Sequence, residues 1–407
     1  RKLIKLKDRQ LPSDFKNIFY TQINSASPAN DDVLYEIGFV QGGGGDVGWC
    51  IGLSVVAGSK GSGTTYTFMS PAYACSFDKE DQRFGVTCAP YRYLTEASQN
   101  AVNAFGISPA KWCRLDMNVA TTNKNTGINW PILRYPDVLL MLAEANNEIN
   151  GAPDSEAKAM LKRVRERAFI NSSNKALMVD SYIAALNDYN SFKKAIIDER
   201  AWEFGGECVR KFDLIRWNYY SEAITNTLEW MLEVGRNSQQ LKQEGDELVY
   251  DKNQEIEDKG VAGILYFNIQ GGLVKFENDI YTARDAKEEP YKSANTIKDE
   301  DIKNSNEQSL YRIDFAKAFI SVSDKNPVTN QPWGTDENGD AIKKGTIVEN
   351  VLYSWYGLTA GTLVTGIGED VPSLRNKVTP YVFPIPNSNV TTSAGVLSND
   401  GYAIRNK

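Results

Sequence analysis

The chain has 407 residues, with 52 acidic against 45 basic side chains for a net charge of −7, and it contains no histidine. Without imidazole there can be no Ser-His-Asp or Cys-His relay, no imidazole zinc site and no imidazole proton shuttle. The acidic balance, with no dense Lys/Arg run, argues against nucleic acid as a partner.

The basic opening, Arg1 to Arg9, runs into Asp14 rather than an apolar stretch, so it reads as neither a signal peptide nor a transit peptide. The most apolar stretches, 47–58 and 138–145, fall well short of the ~20 residues that a membrane span needs. Residues 33–40, Val-Leu-Tyr-Glu-Ile-Gly-Phe-Val, carry β-branched and aromatic side chains and predict a strand. A glycine-dense stretch follows, from Gly42 to Gly45 through Gly58, Gly61 and Gly63, and predicts a long mobile loop system. It is not a phosphate loop, because Lys60 lacks the following Ser or Thr and the required Gly spacing.

From 131 to about 235 the apolar residues recur at helical spacing. Tyr135, Val138, Leu139, Leu142, Ala145 and Ile149 form one stripe, which Asn150-Gly151 ends and Pro153 keeps from continuing. Asp154 or Ser155 caps the next helix, whose stripe is Ala157, Met160, Leu161, Val164 and Ala168. Together they make a helical hairpin close in size to a tetratricopeptide unit. A second pair follows, the first helix capped by Asn190 or Ser191 and stopped at Gly205-Gly206, the next carrying Phe212, Ile215 and Trp217. Two such pairs need neighbours to bury both faces.

From about 245 to 375 the sequence is irregular and polar. Asp336-Glu-Asn-Gly-Asp340 predicts a hairpin turn. It fails as a calcium loop, having Ala341 and Ile347 where Gly and Glu are required. Residues 351–356 predict a further strand. The five cysteines, Cys50, Cys75, Cys88, Cys113 and Cys208, contain no Cys-x-x-Cys pair. Free thiols are the simpler reading, with Cys75–Cys88 open as a pair in an oxidising compartment. No metal or cofactor site is expected.

Asp198, Glu199 and Glu203 share one helix beside Arg200, with Glu207 near Arg210. Glu199 and Glu203, at i,i+4, could raise one another's pKa, but the adjacent arginines make an ion-pair network the more economical reading. Arg210, Asp213 and Arg216 likewise read as a self-neutralising ladder. No residue is assigned as catalytic. Aromatic side chains in or beside the loops, Trp49, Tyr66, Phe68, Tyr73, Trp333 and Trp355, are the candidate ligand-binding residues, because sugar rings stack on exposed aromatic platforms; core packing is the competing reading for each.

The helical section carries a resemblance. Residues 133–148, Leu-Arg-Tyr-Pro-Asp-Val-Leu-Leu-Met-Leu-Ala-Glu-Ala-Asn-Asn-Glu, resemble the signature helix of the SusD/RagB family of outer-membrane nutrient-binding lipoproteins. Leu161-Lys-Arg-Val-Arg-Glu-Arg-Ala168, the block from Ile197 to Trp217 and the closing Pro380-Tyr-Val-Phe-Pro-Ile-Pro386 with Asn399-Asp-Gly-Tyr402 are similar to the family's other motifs, in order. The resemblance implies a mainly α fold: a tetratricopeptide-like α-α superhelix core with irregular loops and short β-hairpins. It divides the chain into a loop-rich region with short strands that contributes the ligand site (1–130), helical pairs (131–235) and an irregular region packed on them (236–407).

It also implies a non-enzymatic protein on the surface of Bacteroidetes, lipid-anchored to the outer membrane through an N-terminal cysteine not in this chain. Such a protein passes an oligosaccharide, or in the RagB branch a peptide, to a SusC-like TonB-dependent transporter. The helical half that precedes these motifs in the family is expected as a further partner of the helices. Arg200, Glu203, Arg210, Asp213 and Trp217 fall in the matched motifs and read as scaffold. A helical-repeat interaction scaffold without a small ligand, and a carboxylate glycosidase, are the competing expectations.

Overall fold

The computed structural model describes residues 1–2, 4, 9–24, 32–40, 43–78, 80–96, 98–119, 124–237, 239–245, 247–251, 264–270, 273–275, 292–293 and 309–347. The chain divides into two compact units, residues 1–210 with 264–313, and residues 211–263 with 314–407.

The first unit is built on helices. Helix α1 (Phe15–Ile23), which the sequence reading left within the loop-rich region, starts where the Asp14 carboxylate accepts from the backbone N–H of Lys16 at 2.9 Å. Its apolar residues Phe15, Ile18, Phe19 and Ile23 recur at three- and four-residue spacing and are all buried. They pack with Val33, Val47, Met117, Ile128 and Trp112, whose indole stacks on Trp130 at 4.8 Å. The expected strand forms over Val33–Ile37 and pairs antiparallel with Trp130–Arg134.

Helix α2 (Tyr135–Asn150) ends as its sequence dictates. Gly151 takes φ +70°, the left-handed conformation that L side chains avoid, and its N–H donates to the Asn147 carbonyl at 2.9 Å. Asp154 then caps α3 (Ser155–Ala168) by accepting from the Ala157 N–H at 2.8 Å. Helix α4 (Tyr189–Phe204) is capped by Asp188, two or three residues earlier than the sequence suggested, through the N–H groups of Asn190 and Ser191. Helices α3 and α4 both pack on α2. Between α3 and α4, residues Ala176–Ser181 wind as a π-helix, an element the sequence did not announce.

The glycine-rich stretch is more tightly stitched than a mobile loop. Leu53 N–H donates to the Trp112 carbonyl at 3.0 Å, and Val55 and Gly63 exchange bonds of 3.0 and 2.8 Å. Leu53 and Val55 are buried. Glycine is required where backbones touch: a Cβ on Gly52 would lie 2.3 Å from the Trp112 carbonyl oxygen. Gly63, one of the glycines that suggested mobility, likewise serves close approach, since a Cβ there would lie 2.9 Å from the Gly48 carbonyl oxygen.

In the second unit, α5 (Tyr220–Asn237) buries Met231 and Val234 and packs on α6 (Phe315–Phe319), whose Phe319 ring meets Trp230 at 6.0 Å. A four-stranded antiparallel sheet runs in the order Ile320–Ser323, Lys344–Ile347, Glu247–Tyr250, Leu241–Glu244. The expected turn forms at 336–340: Asp336 N–H donates to the Asp340 carbonyl at 2.8 Å, and Gly339 takes φ +84°. The expected strand at 351–356 lies outside the described residues.

Candidate functional site

The carboxylates that sequence reading weighed for chemistry lie inside a buried ion cluster. Five cations (Arg83, Lys111, Arg134, Arg165, Arg167) meet five carboxylates (Asp32, Asp81, Glu199, Glu203, Glu207), none more than 6 % exposed at its side chain. Glu203 is central. It accepts from Arg134 at 2.8 Å, from Arg83 at 3.4 Å and from Arg167. Arg134 also reaches Asp32 and Glu207, each at 2.8 Å. Arg83 bridges Asp81 at 2.6 Å and Glu199 at 2.7 Å.

The Glu203 carbonyl, in the last turn of α4, accepts from Arg134 Nη2 at 2.9 Å and Lys111 Nζ at 2.8 Å. The negative end of the helix is thus closed by two cations.

This geometry fixes protonation. Burial alone would raise Glu203, but Arg167, Arg134 and Arg83 outweigh it and hold the carboxyl well below its usual range. Glu207 is lowered in the same way by Arg134 and Lys111 against its burial. Burial pulls the Lys111 ammonium down to about 8, with Glu207 opposing. A glycosidase needs one carboxyl that keeps its proton beside an open cleft. Glu203 is fully buried and held ionised, so it cannot be that acid.

The ion-pair network expected from the sequence is present, and it draws in cations from beyond the helix that carries the acids. Arg200 pairs with Asp137 at 2.5 Å, and Arg210 donates to the Ile197 carbonyl at 2.8 Å. The cations on Glu203 come from other segments, Arg83, Arg134 and Arg167. Arg216 does pair with Asp213, at 2.8 Å. All five cysteines are free thiols, Cys75 and Cys88 included.

Of the aromatic candidates, the structure brings Trp49 and Tyr66 together. Thr64 N–H donates to the Trp49 carbonyl at 2.7 Å and Tyr66 N–H to the Cys50 carbonyl at 3.0 Å, so residues 49–50 run beside 64–66. Their rings meet edge to face at 5.4 Å. Tyr66 is 64 % exposed and Trp49 half-buried. The Lys124 ammonium lies 4.3 Å from the Trp49 ring, a neighbour that nothing in the sequence signalled.

Phe68 is exposed, with no ring contact to this pair among the described residues. Tyr73 is committed elsewhere: its hydroxyl donates to the Ala201 carbonyl at 2.8 Å, and its ring meets Phe77 edge to face at 5.1 Å. Trp333, in the second unit, is half-buried under the Lys344 ammonium at 4.8 Å. Trp355 lies outside the described residues. Among the described residues there is no cluster of acidic and thiol groups able to hold a metal, and no helix long and apolar enough to cross a membrane.

The sequence matches the SusD family over residues 73–402. The chain belongs to that family, and its helical core, joined by small two- and four-stranded sheets, is the tetratricopeptide-like architecture expected. It is similar to SusD-like protein P25 of Formosa agariphila, 40 % identical over 100 residues, which is 25 % of this chain and 17 % of that protein. It is also similar to SusD-like protein P2 of the same organism, 35 % identical over 127 residues, covering 31 % of this chain and 24 % of that protein.

Among solved structures, a SusD homologue from Bacteroides thetaiotaomicron VPI-5482 aligns with 26 % identity and a TM-score of 0.49, over 56 % of this chain and 49 % of that one. Surface glycan-binding protein A from Bacteroides thetaiotaomicron, in complex with laminarihexaose, aligns with 19 % identity and a TM-score of 0.40, over 54 % and 49 %. The matched region thus spans about half the length of these solved chains and under a quarter of the two curated relatives.

Proposed function

We propose that this protein is a non-catalytic cell-surface binding protein for an oligosaccharide, which it hands to a SusC-like TonB-dependent transporter of the outer membrane, where a lipid anchor holds it. The observation that carries this reading is the edge-to-face Trp49–Tyr66 pair, with Tyr66 exposed and Trp49 half-buried, on hydrogen-bonded glycine-rich turns. Family membership supports it. A sugar ring stacks an apolar C–H face on such a platform, and loop side chains bond its hydroxyls. Tight stitching of the turns lowers the ordering cost of binding.

The test is calorimetric titration of the protein with an oligosaccharide panel that includes laminarihexaose, beside a panel of short peptides. Truncating an aromatic anchor costs roughly 2 kcal/mol, about thirtyfold in Kd. Trp49→Ala with Tyr66→Ala should weaken glycan binding at least that much and leave the unfolding midpoint unchanged. Peptide binding without glycan binding would move the protein to the RagB-like reading. Glycan affinity untouched by the double variant would remove the platform from the site.

A further inference from the structure

We propose that the first unit carries a second ligand site, a cavity that takes a single neutral sugar ring, independent of the Trp49–Tyr66 platform. The cavity is about 310 Å³, and Trp202, Phe77, Phe169, Met178, Arg165 and Asp78 are among its walls. That volume is roughly ten water molecules' worth, the scale of one six-membered ring with its hydroxyls.

Three aromatic rings give it apolar faces. Phe77 and Phe169 are buried, while Trp202 is half-buried and fixed by its Nε1–H, which donates to Ser76 Oγ at 3.0 Å. A wall ring held by a hydrogen bond at its edge leaves its face to stack.

Two polar groups in the lining retain unused capacity. Arg165 is 5 % exposed; its Nε donates to the Met178 carbonyl at 2.6 Å and its Nη1 to Glu199 at 3.1 Å. Its Nη2 has no partner among the described residues. The guanidinium plane is held against the Tyr182 ring at 3.7 Å and the Phe169 ring at 4.8 Å, so the free nitrogen cannot swing away to solvent. Asp78 Oδ1 accepts from the Glu80 N–H at 2.8 Å, which leaves Oδ2 open. One donor and one acceptor between aromatic walls suit vicinal hydroxyls.

Charge decides against an anion. Arg165 is already neutralised by Glu199, and Asp81 in the same lining by Arg83, so Asp78 is the charge left over. The Met178 wall belongs to the π-helix 176–181, an element that recurs at functional sites and that directs the Met178 carbonyl onto Arg165.

The experiment titrates the full chain with the methyl pyranosides of glucose, galactose, mannose and xylose, following tryptophan fluorescence and ligand-detected NMR. At least one should bind saturably in the millimolar range and keep its affinity in Trp49→Ala/Tyr66→Ala. Asp78→Ala should weaken it tenfold or more. Ser76→Phe places a ring at the exposed cavity rim and also removes the acceptor of the Trp202 Nε1–H, so it should block binding. Ser76→Ala, which removes the acceptor alone, should weaken it less, with circular dichroism unchanged in both.

If Trp202→Leu unfolds the protein, the two rim variants still decide. No binding by any pyranoside up to saturating solubility overturns the proposal. So does binding that survives both Asp78→Ala and Ser76→Phe, or binding that disappears with the Trp49–Tyr66 variant alone. Because that last variant is in the same series, failure of the cavity and failure of the loop platform are read separately.

Discussion

Replacing Glu203 by glutamine tests whether the buried ion cluster holds the first unit together. The carboxylate is fully buried and faces three guanidiniums, at 2.8 Å from Arg134, 3.4 Å from Arg83 and in contact with Arg167. Glutamine keeps the volume, so no cavity forms, but five cations would then face four carboxylates. Removing one partner of a buried pair costs about 3–5 kcal/mol, because the charge left behind is uncompensated. A domain is stable by roughly 5–15 kcal/mol, so the loss is a large part of the total.

The two compact units need not unfold together, so amide hydrogen exchange in α3 and α4 is the proper readout, since it reports on the first unit alone. Protection there should fall at least a hundredfold, as ~1.4 kcal/mol is a factor of ten. Glu203→Gln combined with Arg167→Gln restores four against four. It should therefore be less destabilised than the sum of the single variants, by about 1–3 kcal/mol. A cost below ~1 kcal/mol for Glu203→Gln, or strict additivity in the double variant, would refute the reasoning.

The same cluster predicts acid sensitivity. Glu203 and Glu207 sit below their unfolded values, so their stabilisation is complete above about pH 4.3 and is lost as pH falls through the folded values. Asp81, raised by burial against Arg83, acts with the opposite sign and softens the effect. Exchange protection in α4 should be level from pH 7 to 5 and drop towards pH 3; a level profile to pH 3 contradicts the assignment. At the glycines, Gly205→Ala places a Cβ 1.9 Å from the Tyr73 hydroxyl, against the bond to Ala201. It should cost about 2–4 kcal/mol from overpacking and the lost hydrogen bond. Gly151→Ala meets no atom within 4 Å and should cost only the left-handed strain, about 1–2 kcal/mol, so a melting series in which both variants fall equally would be wrong for this fold.

What the sequence disclosed follows the range of the forces involved. Helices α2 and α3, their caps and the turn at 336–340 depend on neighbours a few residues away, and were legible from periodicity and from Gly151, Asp154 and Gly339. The buried face of α2, however, includes Tyr135, Leu139, Leu140, Ala143, Asn146 and Asn147, and the expected stripe members Ala145 and Ile149 are exposed. The ion cluster was legible only as acidic residues needing partners. Arg134 meets Glu203 across 69 residues and Arg167 meets Asp32 across 135, separations that no local pattern encodes. Glycine density misled for a related reason: Gly52 serves a contact with residue 112, not local freedom. The Trp49–Tyr66 contact was half visible. Trp49 and Tyr66 stood out as loop aromatics, whereas the commitment of Tyr73 to Ala201 spans 128 residues and was not foreseeable.

Asp32 and Asp81 bracket the interval that carries Trp49 and Tyr66, and both are moored to one lattice of charges, Asp32 to Arg134 at 2.8 Å and Asp81 to Arg83 at 2.6 Å. The interval is made fast to the helices at both ends and is pinned between them, where Leu53 bonds Trp112 and Val55 bonds Gly63, so its closure does not hang on its own length. Doubling a flexible excursion costs only about 0.6 kcal/mol. Exposed turns such as the one at Ser59 can therefore grow, shrink or be exchanged while the moorings stay in place. Length changes at such turns leave the two aspartates, and the helical core that moors them, undisturbed.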